Sequence, residues 1–177
     1  MIKREIYMQR IRPFINTDLI KVFTGIRRAG KSVMLELVKN ELKESGIDEE
    51  NFLCINFEQF SNSQFLDVES LYKKITDFQK NTKGKIYLFF DEIQEVDGWE
   101  KCINSCRIDF DCDIYITGSN AKLLSGELAT YLAGRYVEFV IYPFSFAEFF
   151  EMNLIKNPNV DKSTCFMQFL KTGGMPF

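Results

Sequence analysis

The octapeptide Gly25-Ile26-Arg27-Arg28-Ala29-Gly30-Lys31-Ser32 comes directly after the apolar run LIKVFT, residues 19–24. Glycine adopts backbone conformations that a β-carbon forbids, so its first and sixth positions let the chain curl tightly. The run before the curl reads as a buried strand. The segment after it, Lys31 to Ser45, places Met34, Leu37, Val38 and Leu42 on one helical face, with Gly46 set to end it. A strand, a tight glycine curl and an amphipathic helix in immediate succession restrict the chain to folds in which helices pack on a sheet.

The same alternation continues to the end. Strands are predicted for FLCINF (52–57), KIYLFF (85–90), DIYIT (113–117) and YVEFVIY (136–142). Helical periodicity marks Ile2 to Ile15, residues 64–80, Trp99 to Phe110, residues 120–132, and two segments near 144–152 and 161–171. KIYLFF is almost wholly apolar, the pattern of a strand covered on both faces. Short apolar runs alternating with longer 3.6-period segments predict an α/β fold around a mainly parallel sheet.

The 177 residues suit one domain, and 46% hydrophobic against 27% charged residues is a globular balance. A net charge of −3, with no long basic run, gives no strong nucleic-acid signature. No secretory leader or membrane span is legible, so the expected location is the cytoplasm. Five cysteines, an odd number, argue against a disulfide framework, and the absence of histidine removes Ser-His and Cys-His catalysis. Cys102 and Cys106 share a helical stripe with Trp99, Ile103 and Phe110, which reads as core rather than as a metal site.

Four motifs carry chemistry. Gly25 to Ser32 matches G-x-x-x-x-G-K-[ST] at every position. In such a loop the main-chain N–H groups of Gly25, Ile26, Arg27, Arg28, Ala29, Gly30, Lys31, Ser32 and Val33 surround phosphates at a helix N-terminus. Lys31 then meets the β- and γ-phosphates and the Ser32 hydroxyl ligates Mg²⁺. Asp91 and Glu92 end the buried run IYLFFDE, at the strand terminus where open α/β sheets bind ligands. Asp91 suits the metal, and Glu92 suits a general base that activates water. IYITGSN ends a third strand in Thr117, Ser119 and Asn120, polar groups fit to orient a water or to sense the γ-phosphate, and equally fit to cap a helix. Arg135, after Gly134, is either an arginine that reaches a neighbour's γ-phosphate or a surface residue.

With GIRRAGKS, FFDEIQEVDGWE, YITGSNAKLLS and LAGRYVEFVIYPFSFAEFF in this order, the chain resembles a prokaryotic group of the AAA+ ATPases, from about Arg10 to Pro176. The resemblance implies a P-loop NTPase three-layer sandwich with five strands in the order 5-1-4-3-2. It implies an AAA+ nucleotide-binding core across 1–177, with 17–143 as the α/β part and 144–177 as the start of a helical lid that continues in a longer protein. It implies ATP and Mg²⁺ as cofactors. Lys31, Glu92, Arg135 and Asn120 become the catalytic set, Ser119 or Asn120 the first sensor, and Ser32 and Asp91 the metal pair. Asn56 falls where relatives hold the catalytic glutamate inactive. The expected function is Mg-dependent ATP hydrolysis coupled to a conformational change, in a homo-oligomer or with a partner domain. The alternatives are a nucleotide-gated binding module without turnover and, third, a phosphotransferase. A GTPase lacks its guanine-reading N-K-x-D, since SNAKLL does not qualify. The aromatic residues Phe139, Tyr142, Phe144, Phe146, Phe149 and Phe150 could form an interaction patch, but are expected to be core or covered by downstream chain.

Overall fold

Hydrophobic alternation along the central strands produces two apolar faces. In the computed structural model, which describes residues 2–118 and 132–175, Ile86, Leu88 and Phe90 of one strand enter one core, and Tyr87 and Phe89 enter the other. That strand, β3 (Ile86–Asp91), is buried along its whole length, as an apolar run covered on both faces requires. Its companions are β1 (Ile20–Thr24), β2 (Phe52–Asn56), β4 (Cys112–Thr117) and β5 (Tyr136–Val140). All pairings are parallel, in the order β2-β3-β4-β1-β5. This is the order that the resemblance implies.

Helices α1 (Glu5–Ile11) and α2 (Lys31–Glu44) cover one face, through Tyr7, Met8, Ile11, Met34, Leu35 and Val38. Helices α3 (Val68–Asn81) and α4 (Trp99–Asp109) cover the other, through Leu71, Ile75, Trp99, Ile103 and Cys106. The result is a helix–sheet–helix sandwich. Cys102 and Cys106 lie in the second core, and the neighbouring Cys102 thiol together with burial pushes the Cys106 thiol well above its ordinary value. They are packing residues, as their stripe indicated.

Two boundaries differ from the periodicity, each for a local reason. The leading helix starts at Glu5 rather than Ile2 because Arg4 takes a left-handed φ of 47°. It passes into a 3-10 turn, Arg12–Phe14, at Pro13, whose ring nitrogen has no proton to donate. The third helix starts at Val68 because the Asp67 carboxylate accepts from Ser70 N at 2.9 Å and caps it there. Phe60–Phe65 before it is a 3-10 helix. The helix expected at 120–132 lies outside the described residues, except for Leu132, which is buried.

Helices α5 (Phe146–Lys156) and α6 (Lys162–Thr172) come after the last strand. A capping box of Ser145 and Glu148 starts α5. Phe146 packs on Phe166 and Phe169, and Phe149 packs on Phe169, so α6 runs back along α5. Phe139 sits against Phe14 and Phe23. Much of the aromatic cluster is therefore covered from within the chain, while Tyr142 stays exposed.

Candidate functional site

The loop 25–30 joins the carboxyl end of β1 to the start of α2, and its backbone supplies the curl. Gly25 has a φ of 140°, Arg28 of 66° and Gly30 of 97°. Ala29 N donates to Ile26 O at 3.1 Å, closing a turn, and Ala29 is fully buried beneath it. A β-carbon on Gly25 would stand 2.2 Å from the carbonyl oxygen of Ile141, so only glycine fits there. Ile26, Arg27 and Arg28 are exposed on the rim, and Ser32 and Val33 are exposed in the first turn of α2. Lys31, by contrast, folds inward with 6% of its side chain exposed.

Strand order decides what the loop faces. β4 lies between β1 and β3, so the carboxyl ends of all three converge. Lys31 Nζ lies 3.5 Å from Glu92 Oε1. Thr117, at the end of β4, donates its hydroxyl proton to Asp91 Oδ1 and accepts from Glu92 N at 2.9 Å. The register of β2 on β3 sets Asn56 opposite Asp91, and Asn56 Nδ2 donates to Asp91 Oδ2 at 3.0 Å. Both oxygens of Asp91 are thus held, one from each neighbouring strand. A cavity of about 310 Å³ opens beside them, with Ser32, Glu36, Lys39, Cys54, Asn56 and Asp91 in its wall.

The acidic pair has two distinct surroundings. Asp91 is 7% exposed and ends the strand, whereas Glu92 takes a left-handed φ of 57°. Such a backbone costs on the order of 1–3 kcal/mol in a residue with a β-carbon. It turns the Glu92 side chain back toward the loop, where Gln94 Nε2 donates to its Oε2 at 2.6 Å. Gln94 Oε1 is itself buried with no hydrogen-bond partner among the described residues.

Ser32 and Asp91 offer hard oxygens in one cavity, the donor type that Mg²⁺ prefers, with further positions left to water and phosphate. Among the described residues no group of three or more His, Cys, Asp or Glu is placed to hold a metal alone. Cys54, exposed in the same wall, is no substitute, since partial desolvation holds its thiol above the ordinary value despite Lys39 nearby.

Some of the expected residues do not join this cluster. Ser119 and Asn120 lie outside the described residues. Arg135 precedes β5, its carbonyl accepts from Ile20 N, and its Nη1 donates to Asn104 Oδ1 of α4 at 3.1 Å. Ile20 is the amino end of β1, so Arg135 stands one strand length from the loop, roughly 16 Å at 3.3 Å per residue. Asn56 holds Asp91 where Glu92 was expected. Glu92 is held by Lys31 and Gln94. Gln94 was readable only as the last letter of DEIQ, and nothing in its type announced a contact with Glu92.

A family model described as an AAA domain matches residues 17–150. A Haemophilus influenzae protein, described as uncharacterized, is 45% identical over 176 residues, covering 99% of this chain and 44% of its own length. An uncharacterized protein of Methanocaldococcus jannaschii is 38% identical over 170 residues, covering 89% of this chain and 35% of its own. The chain thus spans less than half of these curated relatives. Among solved structures, the Aeropyrum pernix ORC1 protein in complex with DNA is similar with a TM-score of 0.59 at 14% identity, over 86% of this chain and 48% of that one. The C. elegans PCH-2 structure gives 0.55 at 18% identity, over 87% and 48%. A STAND protein with a tetratricopeptide repeat sensor from Pyrococcus horikoshii gives 0.55 at 14% identity, over 99% and 28%. These structures share the fold, a P-loop NTPase-like parallel sheet between helices. With the family model spanning most of the sheet and its loop, the chain belongs to the AAA domain family of nucleotide-binding, ATPase-like modules.

Proposed function

We propose that this chain binds Mg-ATP at the loop 25–33 and hydrolyses it, and that the nucleotide cycle drives a conformational change in the downstream helices and a further domain. The observation that carries the reading is the convergence of Lys31, Asp91, Glu92 and Thr117 at adjoining strand ends. Main-chain amides of the loop and Lys31 would hold the phosphates. Ser32 and Asp91 would hold Mg²⁺, which supplies charge neutralisation on the phosphate oxygens. Glu92 would take the proton of the attacking water once Lys31 moves to phosphate. Ser119 or Asn120 is proposed as the first sensor. Arg135, a strand length away, would act only across an interface between copies, with its charge on a neighbour's γ-phosphate.

The α/β core is proposed to span 17–143, with α5 and α6 as the beginning of a helical lid. No helix of the described residues is long and apolar enough to cross a membrane; a cytoplasmic setting is proposed. The test is release of phosphate from Mg-ATP by the wild-type chain and by Lys31→Ala. Turnover that needs Mg²⁺ and disappears in the variant supports hydrolysis, and equal turnover in both sinks it.

A second reading, nucleotide-gated binding without turnover, has its own observation. Glu92 is engaged at both oxygens, by Lys31 and Gln94. A chain that binds ATP tightly in calorimetry yet releases no phosphate would favour this reading.

A further inference from the structure

Arg4 falls within the leading segment whose periodicity predicts a helix from Ile2 to Ile15. In the structure it is 2% exposed and sits beneath the phosphate loop. A guanidinium has five N–H donors in a rigid planar fork, and this one serves three separate segments. Nη1 donates to the carbonyl of Ala29 in the loop at 2.9 Å. Nη2 donates to the carbonyl of Tyr142 beyond β5 at 2.8 Å. Nε donates to Glu148 Oε1 in the first turn of α5 at 2.8 Å.

The surroundings fix the fork in place. It lies over the Tyr7 ring, 4.6 Å from the centroid, and near the Phe144 ring at 5.1 Å. Glu148 is fixed in turn, because its Oε2 accepts from Ser145 N at 2.8 Å and so starts α5. Phe144 N donates to Gly174 O at 2.6 Å, beyond the end of α6. Arg4 itself takes a left-handed φ of 47° just before α1.

We propose that Arg4 is a positioning residue that couples the phosphate loop to the start of α5, so that nucleotide bound at 25–33 is felt in the α5–α6 pair. The coupling rests on the nucleotide-binding reading and adds to it the route by which the site reaches the downstream helices. A shift of the Ala29 carbonyl pulls on the same rigid fork that holds Glu148. A lysine has a single nitrogen on a flexible stem and no planar fork to reach the three acceptors from separate nitrogens.

Hydrogen exchange monitored by mass spectrometry tests this, with Mg²⁺ and a non-hydrolysable ATP analogue as the probe. In the wild type the analogue should slow exchange both at 25–34 and at 144–152. In Arg4→Gln and Arg4→Lys the slowing at 25–34 should persist and that at 144–152 should be lost. Glu148→Ala removes the acceptor and breaks the link from its other end, so the test stands if an Arg4 variant fails to fold. Slowing at 25–34 alone in the wild type, or at both segments in folded variants, overturns the coupling and leaves nucleotide binding intact. Slowing at neither segment overturns nucleotide binding, and the coupling with it.

Discussion

The ammonium of Lys31 stands 3.5 Å from a carboxylate oxygen of Glu92, closing a contact between the first turn of α2 and the end of β3. The two groups proposed to address phosphate and water therefore hold each other. On that proposal, phosphate binding would exchange one partner of Lys31 for another and leave Glu92 held by Gln94 alone.

Opposite mutations of this pair should consequently separate binding from turnover. Lys31→Ala removes a charge-assisted contact worth about 1.5–3 kcal/mol, so ATP affinity in calorimetry should fall at least tenfold. Glu92→Gln leaves Lys31 with a neutral neighbour, so affinity should hold or rise. Its turnover should fall by about 10²- to 10⁴-fold, the scale of a lost general base. Persistent turnover in a single-turnover assay of Glu92→Gln would remove Glu92 from the proposed chemistry.

Thr117 ties the acidic pair together, donating to Asp91 and accepting from Glu92 N. Thr117→Val keeps the shape and deletes both bonds, leaving a backbone N–H without its partner. The expected cost is about 1–3 kcal/mol in urea unfolding. A higher Mg²⁺ concentration should also be needed to support ATP binding, and Thr117→Ser should restore both measurements.

Gly25 and Gly46 both have positive φ, yet they should respond differently to alanine. At Gly46 nothing lies within 4 Å of an added β-carbon, so only backbone strain of about 1 kcal/mol is expected. At Gly25 the added carbon meets the Ile141 carbonyl at 2.2 Å and must push β5 from β1. Gly25→Ala should lower the melting temperature by well over the roughly 2–4 °C per kcal/mol expected for Gly46→Ala. Equal melting temperatures would contradict the close packing of the loop on Ile141.

Acid should act on the start of α5. Burial raises the Glu148 carboxyl, but its bonds from Arg4 and from Ser145 outweigh this and hold it below the ordinary value. A carboxyl depressed in the folded state adds stability above its unfolded pKa, about 4.3, and loses it as pH falls through the folded value. Between pH 7 and pH 3 the wild type should therefore lose more thermal stability than Glu148→Gln. Parallel melting curves against pH would show that Glu148 adds nothing.

Much of the architecture was legible because it rests on local pattern. KIYLFF had to be a strand covered on both sides, and GIRRAGKS between a strand and a helix had to be a curl at a helix N-terminus. The acidic pair after β3 was equally legible, since a strand end places it at the ligand-binding edge. Cys102 and Cys106 showed their burial through their helical spacing with Trp99 and Ile103.

The sequence by itself determined the elements, their approximate ends and the residue types that can address a phosphate, because those depend on periodicity and on offsets within a few positions. Only the tertiary structure decided which side chains meet. Asn56 reaches Asp91 rather than Glu92 because the β2–β3 register sets it opposite the aspartate. Arg135 is kept a strand length from the loop because β5 runs parallel to β1. Arg4 meets Glu148 across 144 positions. A contact of that separation leaves no periodic trace in the chain, and it exists because the folded sheet brings three acceptors from separate segments around one buried charge.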